Sequence, residues 1–245
     1  MADLFREDET ADDLLGGALT IFQKKNGYRF SLDALLLSHF VKLKSGENVL
    51  DLGAGAGVIA LILAQRGDCG QITGLDIQEE LVEMAGRSAR LNNLEDRVEF
   101  LPGDVKKIRT LMKPQSFDAV VFNPPYRKLL SGRINPDDRK AVARHEIRGA
   151  LGDFLAAANY VLKAGGRVFL IYPATRMAEL MCRMRADGLE PKRMRLVHSH
   201  GTSGGEFVLA EGVKGGGEEL DVMPPLFIYG LDGEYTAAMK DIFVK

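Results

Sequence analysis

The sequence lacks any apolar stretch that reaches the roughly 18 residues needed for a membrane-spanning helix. Its amino terminus lacks the basic and apolar regions of a signal peptide and carries six acids within residues 1–13. It has only two cysteines, Cys69 and Cys182, and their spacing fits neither a metal site nor a disulfide framework. We therefore expect a cytoplasmic protein with no metal site, no membrane contact and no obligate protein partner.

The length of 245 residues, with 46% hydrophobic and 27% charged residues, is typical of one soluble domain with a sizeable core. Short runs rich in Val, Ile, Leu and Phe alternate with helical stretches, which predicts a parallel sheet with helices on both faces. The predicted strands are 48–52, 71–77, 98–101, 117–123, 166–172, 194–199 and 206–213. The predicted helices are 32–41, 58–65, 79–91, 105–112, 151–162 and 176–186.

Basic residues are concentrated in two segments, although the net charge is only −2. Residues 126–148 carry seven bases and three acids, and residues 163–195 carry eight bases and three acids. Locally basic segments in a near-neutral protein are typical of a polyanion-binding surface. The alternative is a solvated surface of mixed charge, and counting charges does not separate the two.

A glycine-rich turn follows the first predicted strand, in the run Val49-Leu50-Asp51-Leu52-Gly53-Ala54-Gly55-Ala56-Gly57-Val58. Glycine permits a tight turn and lets a ligand approach the backbone. Dinucleotide sites have Gly-x-Gly-x-x-Gly, and a carboxylate such as Asp51 would repel a pyrophosphate. It suits instead the cationic amino and sulfonium groups of S-adenosylmethionine. The run resembles the first motif of class I methyltransferases, which makes Asp51, Gly53, Gly55 and Gly57 candidate cofactor residues.

Two further acids follow the next two predicted strands. Asp76, with Ile77 beside it, lies where a carboxylate can accept both ribose hydroxyls of a cofactor. The alternative is that Asp76 only caps the helix that begins near Glu79. Class I methyltransferases place an acid that accepts the adenine amino group after the third strand, where this sequence has Gly103 and Asp104. Asp104 is also a candidate helix N-cap, and the two roles are compatible.

The fourth predicted strand runs into Asn123-Pro124-Pro125-Tyr126. Alone, this tetrapeptide is only a strand stop. After a methyltransferase-like cofactor motif, it indicates a site for a planar nitrogen whose lone pair is delocalised. The Asn123 side-chain oxygen and the Pro124 carbonyl can accept its two N–H groups, and Tyr126 can stack on a flat substrate. Alignment for in-line transfer is then the main catalytic effect, and no strong general base is required.

The tetrapeptide is shared by adenine-N6, guanine-N2 and glutamine-N5 methyltransferases, so other stretches must discriminate. Three of them resemble the bacterial tRNA(1,Val) adenine-N6 methyltransferase family, whose target is the adenine beside the anticodon. They are Tyr28-Arg29-Phe30-Ser31-Leu32-Asp33, Arg144-His145-Glu146-Ile147, and Pro224-Pro225-Leu226 together with Gly233-Glu234-Tyr235-Thr236. The alternatives that stay open are methylation of a protein glutamine and a module that binds cofactor or RNA without catalysis.

The resemblance implies one Rossmann-like class I methyltransferase domain over residues 1–245, with a seven-stranded, mostly parallel sheet. Residues 1–42 would form an N-terminal lid and helix, and residues 43–245 the catalytic core. Within the lid, Arg29, Ser31 and Asp33 are the candidate cofactor contacts, and Asn123 is expected to contact both cofactor and substrate. The substrate would be tRNA, and phosphate contacts would come from the two basic segments, 126–148 and 163–195. The candidate RNA-binding residues are Arg127, Lys128, Arg133, Arg139, Arg144 and His145.

Overall fold

Eleven strands and seven α-helices are found in the residues that the computed structural model describes, which are 5–26, 32–67, 69–125 and 151–244. The strands are β1 (Glu9–Leu14), β2 (Leu19–Lys24), β3 (Val49–Leu52), β4 (Ile72–Asp76), β5 (Val98–Pro102), β6 (Phe117–Phe122), β7 (Leu162–Pro173), β8 (Leu189–His198), β9 (Gly205–Lys214), β10 (Asp221–Val222) and β11 (Leu226–Phe227). The helices are α1 (Leu32–Phe40), α2 (Val58–Arg66), α3 (Glu79–Leu91), α4 (Ile108–Leu111), α5 (Leu151–Val161), α6 (Met177–Ala186) and α7 (Ala237–Val244).

The central sheet has the strand order β10-β8-β9-β7-β6-β3-β4-β5, and β11 also pairs with β8. Strands β3 to β7 are parallel, whereas β9 is antiparallel to both β7 and β8. The chain builds outward from β3 in one direction to β5 and then returns to add β6 on the other side. The order of the strands therefore reverses between β3 and β6, and such a switch point is where open α/β sheets bind ligands.

All seven predicted strands and the Rossmann-like class of the sheet are confirmed, and two strands of two residues each extend the sheet. Strand β8 begins at Leu189, five residues before the predicted start, because the chain continues through Pro191 at a register shift. Proline is tolerated at such a bulge, although in the sequence it resembles a break. The predicted helix at 105–112 is a 3-10 turn followed by the single-turn helix α4.

Side chains from the sheet point alternately to two separate cores, as the period of two along a strand requires. Val49 packs with α1, α2 and α7 on one face, whereas Leu50 packs with α5 and α6 on the other. Both faces of the sheet are thus covered by helices, which explains why the central strands β3, β4 and β6 are buried along nearly their whole length. In the part of the chain that the structure describes, no helix is long and apolar enough to cross a bilayer.

A hairpin of β1 and β2, which the sequence pattern did not reveal, packs on α3. Apolar and polar residues hardly alternate in the acid-rich strand β1, so its pattern does not predict a strand. Buried polar contacts hold the hairpin in place instead. Glu9 is fully buried and receives two hydrogen bonds, at 2.7 and 2.6 Å, from the guanidinium of Arg87, which is 4% exposed. Burial opposes ionisation of Glu9, yet the hydrogen bonds and charge of Arg87 outweigh it and lower the pKa of Glu9. The Ser88 hydroxyl also accepts the backbone N–H of Phe22 at 3.0 Å.

We predict that Arg87→Ala destabilises the protein by roughly 3–5 kcal/mol, because it leaves the carboxylate of Glu9 buried without its main partner. The matched control is Arg6→Ala, which removes an exposed ion pair with Glu83 and is expected to change the free energy of unfolding by at most about 1 kcal/mol. Urea unfolding at pH 7 measures both. Equal effects of the two variants would contradict the structural role of the buried pair.

Candidate active site

The glycine-rich loop begins where β3 ends and is held against the end of β4. The N–H groups of Gly53 and Ala54 donate to the Leu75 carbonyl at 2.7 and 3.0 Å, and the Gly55 N–H donates to the Asp76 carboxylate at 2.9 Å. Gly53, Gly55 and Gly57 all have positive φ, at 72°, 57° and 80°. Side chains other than glycine rarely adopt this conformation, so the turn explains the spacing of the motif.

Two of these glycines differ in what surrounds them. A Cβ on Gly57 would lie 2.5 Å from the ring of Phe100, so α2 packs closely on β5 at that point. A Cβ on Gly55 would meet nothing within 4 Å among the described residues, so the backbone there borders space that they leave open. Gly55 thus lines a cradle that a ligand can enter, whereas Gly57 allows the helix to approach the sheet.

Phe100 is a residue of this site that the sequence analysis missed. Its ring also lies 2.4 Å from the position of a Cβ on Gly74, in the middle of β4. The signal was present, because a glycine inside a buried strand often marks a close approach of another group. Phe100 therefore supports the glycine loop and β4 together.

Asp76 is buried at the end of β4 and braces the loop rather than a helix. One carboxylate oxygen accepts the Gly55 N–H, and the other accepts the Gln78 N–H at 2.8 Å. The N-cap of α3 is Gln78, which makes no side-chain capping bond. A carboxylate has about four lone-pair sites, so two backbone donors leave capacity for two hydroxyl groups. Ile77 follows with its side chain 39% exposed.

Asp51 lies in β3 directly below the loop and is fully buried. One oxygen accepts the Ala60 N–H at 3.2 Å, and the other has no hydrogen-bond partner within the described residues. Burial raises the pKa of Asp51 to about 7; the bond from Ala60 opposes the rise, and the negative charge of Asp76 adds to it. A buried acceptor without a partner is costly, and it is the kind of group that a cationic ligand stabilises.

Gly103 and Asp104 lie beside Asp76, at the end of the neighbouring strand β5. The Gly103 N–H donates to the Asp76 carbonyl at 2.8 Å. Asp104 is the N-cap of the following 3-10 turn, since its carboxylate accepts the Lys106 N–H at 2.9 Å. The capping role is therefore present, and the half-buried side chain remains next to the cradle.

Asn123 emerges at the switch point, next to the glycine loop. The register pairs Leu52 of β3 with Phe122 of β6, so Gly53 and Asn123 are the first residues beyond two neighbouring strand ends. The ring of Phe154 supports both, because it lies 5.4 Å from the Phe122 ring and 3.2 Å from a Cβ position on Gly53. Pro124 is buried, whereas Asn123 and Pro125 are half-buried.

Of the remaining predicted site residues, the structure describes only Asp33. Asp33 lies half-buried in the first turn of α1, which packs on the helix that follows the glycine loop. The others lie outside the described residues: Arg29, Ser31, Tyr126, Arg127, Lys128, Arg133, Arg139, Arg144 and His145.

The second basic segment, residues 163–195, matches the alternative of a mixed-charge surface. Five of its eight bases form ion pairs with acids of the chain: Lys163, Arg167, Arg176, Arg185 and Arg193. Lys192 and Arg195 donate to backbone carbonyls. Most of the basic side chains in this segment are therefore held by partners within the protein.

Sequence relatives carry the name that the motifs indicated. A protein of Porphyromonas gingivalis named tRNA1(Val) (adenine(37)-N6)-methyltransferase is 35% identical over 136 residues. The match covers 55% of this chain and 52% of that protein, so the chain spans about half the length of this relative. A protein of the same name from Dyadobacter fermentans is 23% identical over 92% of this chain and 95% of its own length.

A solved structure and a family model agree with the architecture. The crystal structure of protein Atu636 from Agrobacterium tumefaciens, described as a predicted O-methyltransferase, has a TM-score of 0.69 at 24% identity. It covers 86% of this chain and 94% of its own, which shows a common fold. The family model described as a methyltransferase domain matches residues 43–214, from before β3 to the end of β9. The chain therefore belongs to the methyltransferase domain family.

Proposed function

We propose that the protein transfers a methyl group from S-adenosylmethionine to N6 of an adenine in the anticodon loop of tRNA, beside the anticodon. The observation that carries the proposal is the placement of Asn123-Pro124-Pro125 next to the glycine loop at the switch point of the sheet. Relatives named tRNA1(Val) (adenine(37)-N6)-methyltransferase support the choice of nitrogen. In this scheme residues 43–245 form the catalytic core, and residues 1–42 the N-terminal lid and helix of one domain.

The cradle fits S-adenosylmethionine in three respects. The open side of Gly55 admits a ligand against the backbone, and Asp76 keeps lone pairs for two ribose hydroxyls. Asp51 is fully buried below the loop, so the negative charge of its carboxylate would act on the cofactor through its electric field. Ile77, Gly103 and Asp104 line the same strand ends and would hold the adenine. The bound cofactor supplies a methyl group made electrophilic by its sulfonium.

The role of Asn123 is to position the amine. The N6 amino group of adenine is a weak nucleophile because its lone pair is delocalised into the ring. Accepting its two N–H groups on the Asn123 side-chain oxygen and the Pro124 carbonyl would turn the lone pair towards the methyl group. Holding reacting atoms in line contributes roughly 7–11 kcal/mol in well-aligned systems. The buried Pro124 and the Phe122–Phe154 contact would keep these acceptors rigid.

The anticodon loop suits such a site because its bases are already unpaired. Presenting an adenine from a loop costs less than extracting it from a duplex. Tyr126 would stack on that adenine, and the basic side chains of residues 126–148 would contact the RNA phosphates. These assignments rest on the sequence.

Asn123→Ala should reduce methyl transfer to unmodified tRNA at least about 100-fold, because the amine loses one of its two acceptors. Transfer of label from S-adenosylmethionine to total tRNA measures the rate, and filter binding of the same tRNA should stay within about twofold of the parent. Asn159→Ala on α5 is the matched control. Unchanged transfer by Asn123→Ala would exclude this mechanism.

Affinity for S-adenosylmethionine should rise as the pH increases from about 5.5 to 7 and level off above 7. Asp51 is protonated below its pKa of about 7, and pairing with a cation favours the ionised form, so binding releases a proton. The dissociation constant should fall by up to about tenfold per pH unit in that range.

Calorimetric titrations in buffers of different ionisation enthalpy would measure this proton release directly. Asp51→Asn should abolish the pH dependence, whereas Asp118→Asn, at the opposite edge of the sheet, should retain it. Identical pH profiles for Asp51→Asn and the parent would show that this carboxyl does not respond to the cofactor.

Reversing Arg127, Arg133 and Arg139 to Glu should weaken tRNA binding and lower the slope of log affinity against log salt. Each lost contact with a single-stranded phosphate removes about 0.7 from that slope. Triple reversal of Lys42, Lys44 and Arg185, three exposed bases outside that segment, is the control for charge alone. If the substrate were a protein glutamine, methylation would survive the first reversal and the label would appear in protein.

A further inference from the structure

Four aromatic rings follow one another at the carboxyl-terminal side of β8. His200 lies 5.4 Å from Tyr229, Tyr229 stacks on Tyr235 at 5.1 Å with the planes 18° apart, and Tyr235 lies 5.0 Å from Phe243. We call the three rings His200, Tyr229 and Tyr235 the aromatic shelf. None of the three belongs to the active site described above.

The topology places the shelf at the same end of the sheet as Asn123, where β6 and β8 have their carboxyl ends. Strand β8 is parallel to β6, because β9 is antiparallel to both β7 and β8. Strand β11 is parallel to β8, and the chain continues past its end, where the Tyr229 N–H donates to the Ser199 carbonyl at 2.8 Å. Four strand spacings separate β6 from β11, the strand that precedes Tyr229, which is about 19 Å. The register places Phe122 level with Met194, so β8 extends about 13 Å further along the strand direction to His198. A single-stranded substrate at Asn123 therefore reaches the shelf after several nucleotides.

Two of the four side chains are exposed and two are half-buried. Tyr235 is 38% exposed and His200 is exposed on its loop, whereas Tyr229 and Phe243 are half-buried and pack against the core. Tyr229 and Tyr235 face each other across a narrow hairpin, joined by a β-bridge. At its tip the Gly230 N–H donates to the Glu234 carbonyl at 2.8 Å. Exposed aromatic side chains held by such contacts are what unpaired bases stack on.

The acidic side chains beside the shelf favour contact with a nucleobase over contact with a phosphate. Asp232 and Glu234 are both exposed at the hairpin tip, and the Asp232 carboxylate accepts the Glu234 N–H at 3.0 Å. Acids at this position repel a phosphate backbone. A nucleotide that contacts the shelf must therefore present its base, with its phosphates turned away.

We propose that the aromatic shelf is a second RNA-binding site, on which another unpaired base of the loop, several nucleotides from the target adenine, stacks. This inference rests on the proposed function. The shelf would fix the path of the loop across the sheet edge and so determine which adenine reaches Asn123. It also gives a role to the Gly233-Glu234-Tyr235-Thr236 stretch, which the catalytic site leaves unexplained.

The test measures binding of a fluorescently labelled, unmodified anticodon stem-loop by anisotropy across a range of salt concentrations. Tyr235→Ala and His200→Ala should each weaken binding by about 5- to 150-fold, the range found for loss of one base–aromatic stack. The slope against salt should not change, because no phosphate contact is lost. Tyr235→Phe should retain affinity. Tyr160→Ala, a half-buried aromatic at the other edge of the sheet, is the matched control.

A double-mutant cycle identifies the base. Abasic substitution at one loop position should remove the effect of Tyr235→Ala, whereas at other positions the two changes should add. His200 lies on an exposed loop, so His200→Ala keeps the test valid if Tyr235→Ala does not fold. Shelf variants that bind within twofold of a parent that methylates the RNA would overturn the shelf alone. A salt slope lowered by about 0.7 would overturn base stacking in favour of phosphate contact. A parent that binds no RNA would overturn the proposed function with it.

Discussion

The hydrogen bond from the Gly55 N–H to the Asp76 carboxylate is the interaction on which the site depends. It ties the loop after β3 to the end of β4, while the Leu75 carbonyl holds Gly53 and Ala54. These bonds fix the loop at the switch point of the sheet, where Asn123 follows the end of β6. The glycine loop and the amide of Asn123 thus become neighbours, and the proposed in-line transfer relies on this preorganisation.

Electrostatics explains why this loop suits a cation. Asp51 has one carboxylate oxygen without a partner among the described residues, and its pKa is raised to about 7 mainly by burial. A protein gains nothing from such a group in isolation, since an unsatisfied buried acceptor is destabilising. A positively charged ligand above the loop offsets that cost. The same arrangement would disfavour a pyrophosphate, which separates this site from dinucleotide-binding folds of similar topology.

The sequence predicted most of the sheet and the strand ends of the site, because buried parallel strands and glycine turns leave local patterns. It did not reveal the β1–β2 hairpin, since Glu9 is buried by a partner 78 residues away. Nor did it reveal that Phe100 supports both Gly57 and Gly74, which depends on the pairing of β4 with β5. Nor could the sequence show that several bases of the segment 163–195 pair with acids far along the chain, such as Glu47, Asp118 and Glu211.

The central claim is that this sheet edge methylates N6 of an adenine in the anticodon loop. The most direct measurement is mass spectrometry of unmodified tRNA after incubation with the protein and S-adenosylmethionine, with nuclease mapping of the modified fragment. The account predicts N6-methyladenosine at the adenine beside the anticodon. A methyl group on a different nucleoside, on an adenine outside that loop, or on protein glutamine with none on tRNA would contradict it.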